Sequence, residues 1–193
     1  MVIRPVFSLQ CVLDRNHDPH SLYYGDLETT LAAGALDSRT VYARTVPEPA
    51  DIVVSVLKAP YDINFYQSQR AVEFARPVVK SPGIHICVSA CRQGTGDDDF
   101  LKVFDDYARP ADLLTNPPSR NFGWHKSARL ARIMETVRLW TVMAIDDETA
   151  GRAHMRPFRC AQSALDAALA ETGPDAKVYL IPDAGGVVPV LGN

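Results

Sequence analysis

The chain has 193 residues, 47% of them apolar, enough for one domain with a substantial core and short for two. Its formal charge of -3 and scattered basic residues leave no electrostatic footprint for nucleic acid or an acidic membrane. No run approaches about 18 consecutive apolar residues and the N-terminus lacks a secretory pattern, so the expectation is a cytoplasmic protein with a small-molecule or protein partner.

In chain order, residues 6–13 read as a first strand that ends in the turn-rich stretch 14–20. Asp26 then caps a helix running to about residue 44, with Leu27, Leu31 and Ala35 on one face. A β-branched run at 51–57 is a buried strand, broken by Lys58, Ala59 and Pro60. A helix over about 63–79 follows, with Asp62 as a candidate N-cap, Tyr61 as a candidate apolar staple, and Ala71, Phe74, Ala75 and Val78 as the stripe facing the sheet. The strand at 84–89 ends in a second polar elbow, Cys91-Arg-Gln-Gly-Thr-Gly96. Beyond it come an acidic helix near 98–107, a loop through Pro117 and Pro118, and a helix over about 126–139 with Leu130, Ile133, Met134 and Val137 as its stripe. A strand at 140–145, a helix at 161–171 and a last strand at 177–181 lead into a tail carrying Gly185 and Gly186. This βα alternation implies a single α/β domain, Rossmann-like, with a mostly parallel sheet of about five strands and helices on both faces. Ligands in such sheets bind beyond the carboxyl ends of the strands, where both elbows and the tail should emerge on one rim.

Three cysteines, Cys11, Cys87 and Cys160, lie in apolar or helical surroundings and read as small core residues. The histidines, His17, His20, His85, His125 and His154, form no H-x-x-x-H pair, so no metal site is expected from this chain alone. Stepping back along the stripe of the 63–79 helix reaches Gln67 and Arg70, with Tyr66 one turn before Arg70. A guanidinium fork and an amide at a helix N-terminus suit a carboxylate, and the bland alternative is an arginine snorkelling over the core edge with a glutamine capping a loop. Gly94 and Gly96 would let backbone N–H groups approach an anion or else simply form a tight turn. Trp124 covers the core edge or offers its face to a ring. His125 and Lys126 read as solvated, the 97–99 aspartates as a helix-start charge cluster, and Cys91 as a nucleophile only if a base lies beside it.

Together these segments resemble the C-terminal half of the lactate racemase family, enzymes that use a nickel-pincer nucleotide. The resemblance rests on Asp62-x-Asn64-x-Tyr66-Gln67 after the first elbow, Ala90-Cys91-Arg92-x-Gly94-x-Gly96 in the second, Trp124-His125-Lys126 at a helix start, and the stretches 160–168 and 175–182. It extends over nearly the whole chain, so 1–193 is expected to be one lactate-racemase-like C-terminal domain. The resemblance implies an enzyme of two α/β domains with the active site in the cleft between them. The N-terminal domain would hold the cofactor, its nickel ligand and the acid/base histidines. From this chain it implies Gln67, Arg70 and Tyr66 on the substrate side, and Trp124, Cys91, Gly94 and Gly96 on the cofactor side. Two departures stand out: Arg70 occupies a position where the family usually has lysine, and Ala90 one where relatives tend to have glutamate. Because Met1 falls just before the first strand of that half, the N-terminal domain is expected on another chain, as partner. The nickel-pincer nucleotide and a small 2-hydroxy acid are expected only in that complex, and a homodimer is a further way to cover the orphaned face. The resulting expectation is a split subunit of a 2-hydroxy-acid racemase or epimerase, working by hydride transfer at C2 and inactive alone. Two alternatives stay open: a non-catalytic small-anion-binding or regulatory module, and an independent enzyme using Cys91 or Lys58.

Overall fold

A computed structural model describes residues 7–97, 99–118 and 123–192, which fall into two compact units meeting between Thr45 and Val46. In the first, β1 (Phe7–Leu13) pairs antiparallel with β2 (Pro19–Asp26), and α1 (Leu27–Tyr42) packs on one face of this hairpin. Asp26 caps α1 as expected, its carboxylate accepting from the Thr29 N–H at 3.0 Å. The first strand is therefore not part of the parallel sheet, and the last two residues of the expected 14–20 turn open β2. The backbone alternation places Ser8, Gln10 and Val12 of β1 inward, while Leu9 stands opposite Tyr24 and Cys11 opposite Leu22 on the outer face. Thr30 and Gly34 are the buried positions of α1, so Leu27, Leu31 and Ala35, expected to face a core, lie exposed.

The strand β3 (Ala43–Val46) runs across the boundary, and in the second unit β4 (Ala50–Val56) leads through α2 (Phe65–Ala75) and a 3-10 turn (Arg76–Val78) to β5 (Val79–Ser89). After α3 (Asp99–Asp105), α4 (Pro110–Thr115) and α5 (Trp124–Met134) comes β6 (Val137–Met143). Then α6 (Asp147–Arg152), a two-residue β7 (Arg156–Pro157) and α7 (Ala161–Thr172) precede β8 (Val178–Ile181) and β9 (Val188–Leu191). The α5 helix stops earlier than its apolar periodicity suggests, because Val137 and Leu139 are buried as strand residues of β6. Asp98 and residues 119–122 lie outside the described residues.

Five strands form one parallel sheet in the order β7-β6-β5-β4-β8. Val53, Cys87 and Leu139 face a core built with Ala71, Val72 and Ala75 of α2, Phe100 of α3, and Leu130 and Ala131 of α5. The alternate residues Ile52, Ile84, Ile86 and Trp140 pack against Ala164 and Ala168 of α7 on the other face. Both faces are covered, which is why these strands read as continuous apolar runs. Each such Ile or Phe contributes about 1.5–3 kcal/mol through burial. Strands β4 to β7 step outward in one direction, whereas β8 returns to the other side of β4. The chain order reverses between β4 and β8, and the carboxyl ends at such a reversal are where sheets of this class bind ligands.

Candidate ligand-binding site

On the α2 side the core turns polar toward that rim. His85 Nε2 and Ser55 Oγ lie 2.8 Å apart, and Ser68 Oγ sits 2.8 Å from Ser89 Oγ and 3.5 Å from Cys91 Sγ, all buried. Burial pulls the His85 pKa down to about 4, so the ring stays neutral at ordinary pH.

Asn64, not Asp62, caps α2: its side-chain oxygen accepts from the Gln67 N–H at 2.9 Å and its carbonyl from the Ser68 N–H at 3.1 Å. Asp62 instead uses its carbonyl to accept from the Cys91 N–H at 2.8 Å. The two elbows are laced together, since the Phe65 and Tyr66 N–H groups donate to the Gly94 and Thr95 carbonyls at 2.9 and 3.0 Å. The Gln93 N–H donates to Ile63 at 2.9 Å and the Gly94 N–H to Cys91 at 2.9 Å. These bonds commit the Cys91, Gln93 and Gly94 N–H groups of the elbow that the sequence offered to an anion. The glycines are there for geometry: Gly94 has φ +61°, and Gly96, at φ +81°, would place a Cβ 2.7 Å from the Asn64 side chain. Cys91 turns into the core, and burial raises its thiol pKa, so it offers neither a surface contact nor a ready nucleophile. Cys87 is likewise a core residue, whereas Cys11 and Cys160 are exposed, Cys160 as the N-cap of α7, contrary to the expectation of burial.

Side chains make the rim. The Arg70 guanidinium stacks 3.9 Å from the centre of the Tyr61 ring and 5.9 Å from that of Phe74. Tyr61 is itself held against the tail, where a Cβ on Gly185 would fall 2.4 Å from its ring. The elbow after β4 and the tail after β8 thus meet at Tyr61, at the reversal of strand order. Among the described residues, neither the Arg70 fork nor the Gln67 amide has a hydrogen-bond partner, and both residues are half-buried. Phe100 joins α5 to this rim: its ring contacts those of Phe65 and Tyr66 at 5.4 and 5.5 Å, and the Ser127 hydroxyl donates to its carbonyl. Trp124 opens α5 half-buried against the core, His125 is exposed, and Lys126 Nζ lies 4.4 Å from the Tyr66 ring centre and 3.4 Å from the Tyr66 carbonyl.

The structure brings Tyr66, Gln67, Arg70, Lys126 and the glycine elbow together around the start of α2. Lys126 and Tyr61 are the members that sequence reasoning placed elsewhere, as a solvated lysine and a staple. The signal for Lys126 was its position two residues after Trp124 at a helix start. Among the described residues no three His, Cys, Asp or Glu side chains gather as a metal site requires.

A five-stranded parallel sheet with helices on both faces and a reversal of strand order at β4 defines a doubly wound α/β domain. The profile of the lactate racemase C-terminal domain family matches residues 45–189, and the chain belongs to that family. The lactate racemase of Thermoanaerobacterium thermosaccharolyticum is 27% identical over 192 residues, spanning 94% of this chain and 44% of that protein. The lactate racemase of Lactiplantibacillus plantarum is 26% identical over 189 residues, with the same coverage of 94% and 44%. The structure of the T. thermosaccharolyticum lactate racemase apoprotein superposes with a TM-score of 0.84 at 26% identity, covering 95% of this chain and 45% of that one. A Thermotoga maritima protein shares the fold, with a TM-score of 0.65 at 12% identity over 96% of this chain and 49% of its own. The chain thus spans less than half the length of the curated relatives it matches.

Proposed function

We propose that this chain is the C-terminal half of a 2-hydroxy-acid racemase or epimerase and works in complex with an N-terminal lactate-racemase-like half. The observation that carries the reading is Arg70: a half-buried guanidinium, stacked on Tyr61 at the switch point, with its fork unengaged among the described residues. A planar fork with bidentate reach suits the carboxylate common to 2-hydroxy acids, and Gln67 three residues earlier can hold the 2-hydroxyl or the second carboxylate oxygen. Tyr66 walls the same site. Trp124, half-buried at the start of α5, is the residue of this chain that fits a flat cofactor ring, and no group of His, Cys, Asp and Glu among the described residues fits a metal; on this reading the nickel-pincer nucleotide is held mainly by the other half. That cofactor supplies the hydride chemistry at C2, and this chain's residues bind and orient the acid and exclude water as the halves close.

A second feature supports contact with an N-terminal half. The outer face of the hairpin leaves Phe7, Leu9, Leu22 and Tyr24 exposed at 75%, 69%, 61% and 75%, an apolar surface that monomeric proteins seldom leave in water. The relatives carry more than half their length beyond the part matched here, and we assign the N-terminal half as the occupant of this face.

The test is to mix the chain with a cofactor-loaded N-terminal half of a lactate racemase and follow racemisation of 2-hydroxy acids. Turnover in the mixture and in neither part, lowered at least about 100-fold by Arg70→Ala, is expected. Association without turnover on any 2-hydroxy acid would instead leave a binding module.

A further inference from the structure

We propose that Tyr61 is a positioning residue for Arg70, clamped from behind by the tail after β8, so that the guanidinium fork meets a carboxylate already oriented. The inference rests on the reading of Arg70 as the substrate-carboxylate residue and assigns the parts that aim it. Because Asn64 caps α2, the residue before the cap is Ile63, and Tyr61 stands outside the staple position that would tie it to the helix. Its ring is engaged elsewhere. The Arg70 guanidinium carbon lies 3.9 Å from the ring centre, and the Gly185 backbone comes so close that a Cβ there would fall 2.4 Å from the ring. The tail is itself fixed: Ala184 is buried, its N–H donates to the Val56 carbonyl at 2.9 Å, and the Gly186 N–H donates to the Asp183 carbonyl at 3.2 Å. Glycine at 185 is thus what leaves room for Tyr61 beside Arg70. A guanidinium lying on a ring keeps its donors available in its own plane, while the ring covers one of its faces and limits the freedom of the side chain. Phe74, one turn further along α2 with its ring centre 5.9 Å away, narrows the approach again. A fork held in this way loses less entropy when a carboxylate binds. A lysine at the same position would present a point charge with rotatable donors and would need no such platform.

The experiment is an NMR titration of the full chain with lactate, for the unsubstituted protein and for variants whose melting temperatures match it. Tyr61→Leu is expected to weaken lactate binding about fivefold or more, and Tyr61→Phe to stay within about twofold, because the ring and not the hydroxyl is the platform. Gly185→Ala is expected to weaken binding to a similar degree and to add nothing when combined with Tyr61→Leu. In an Arg70→Lys background, Tyr61→Leu is expected to change the affinity by less than about twofold, an independence that general loosening of the fold would not produce. Should Tyr61→Leu fail to fold, Gly185→Ala in the arginine and lysine backgrounds decides in the same way. Lactate binding that is unaffected by Tyr61→Leu but lost in Arg70→Ala overturns this inference and leaves the carboxylate reading standing. Equal losses from Tyr61→Leu in the two backgrounds overturn it too, since they report a merely structural residue. Absence of any Arg70-dependent response to lactate overturns both.

Discussion

Two buried polar side chains show how single residues in this core set its stability. The Gln69 amide is fully buried, and neither its oxygen nor its nitrogen has a partner among the described residues. A desolvated amide of this kind costs more than the packing of its methylenes returns. Gln69→Met is therefore expected to raise the unfolding free energy by about 1 kcal/mol, read from urea denaturation; a lower midpoint would show that the amide is satisfied in solution. His85 carries the pH dependence. Its folded pKa of about 4 lies below the unfolded value, so between roughly pH 6.5 and 4 the unfolded chain takes up a proton that the native state refuses. Stability is fully present above that window and falls as pH drops through it, by up to about 1.4 kcal/mol per pH unit. Urea titrations at pH 7, 6 and 5 should show this slope, and His85→Gln should flatten it; equal slopes in both proteins would rule out His85 as the source.

At the scale of elements, the start of α2 is positioned by the neighbouring loop more than by its own propensity. Its first four N–H groups are satisfied by Gly94, Thr95 and Asn64, the last through both its side chain and its carbonyl. Gly96→Ala forces a side chain into the left-handed region and onto the Asn64 cap. A loss of about 2 kcal/mol or more in stability is expected, with weaker carboxylate binding because Gln67 and Arg70 move with the helix. Wild-type affinity in that variant would mean that the cap does not position the site. The hairpin shows the opposite economy. A mixed face with Ser8, Val12 and Tyr23 packs on α1, where Val12 and Tyr23 lie closest to Gly34, and a more apolar face is left out. Combining Leu9→Lys with Tyr24→Lys should abolish association with the N-terminal half in sedimentation experiments while shifting the melting temperature by less than about 3 °C, since neither side chain is buried in the chain itself. Undiminished association would remove the hairpin from the interface.

For the whole molecule, the order β7-β6-β5-β4-β8 decides where chemistry can occur. The connection after β4 leaves toward α2 on one face, and α7 feeds β8 from the other, so the reversal falls between them. Tyr61 and Gly185, far apart in sequence, meet there. A chain matching 44% of each curated lactate racemase cannot be credited with their whole activity; its rim carries cations and aromatic faces, which the proposed function assigns to an acid, and no cluster of metal ligands lies among the described residues. Sedimentation of the chain alone over a wide concentration range tests the expectation of a homodimer. Self-association lost in the Leu9 and Tyr24 double variant would mean that the face intended for the other half also serves a second copy.

By itself the sequence determined the layered α/β class, because strands buried on both faces must be apolar throughout and helices packed on them must carry a 3.6-residue stripe. It also determined the Asp26 cap, the rim location of both elbows and the candidacy of Gln67 and Arg70, all of which follow from local spacing. Tertiary structure decided the rest. That 6–13 joins a hairpin rather than the sheet depends on which strand it pairs with, and a strand's alternation is the same for either partner. That the Cys91 and Gln93 N–H groups turn inward depends on acceptors about 30 residues away in the first elbow, Asp62 and Ile63. The recruitment of Lys126 to the rim depends on Phe100 bringing α5 against α2, a contact between segments whose separation in sequence carries no periodic signal.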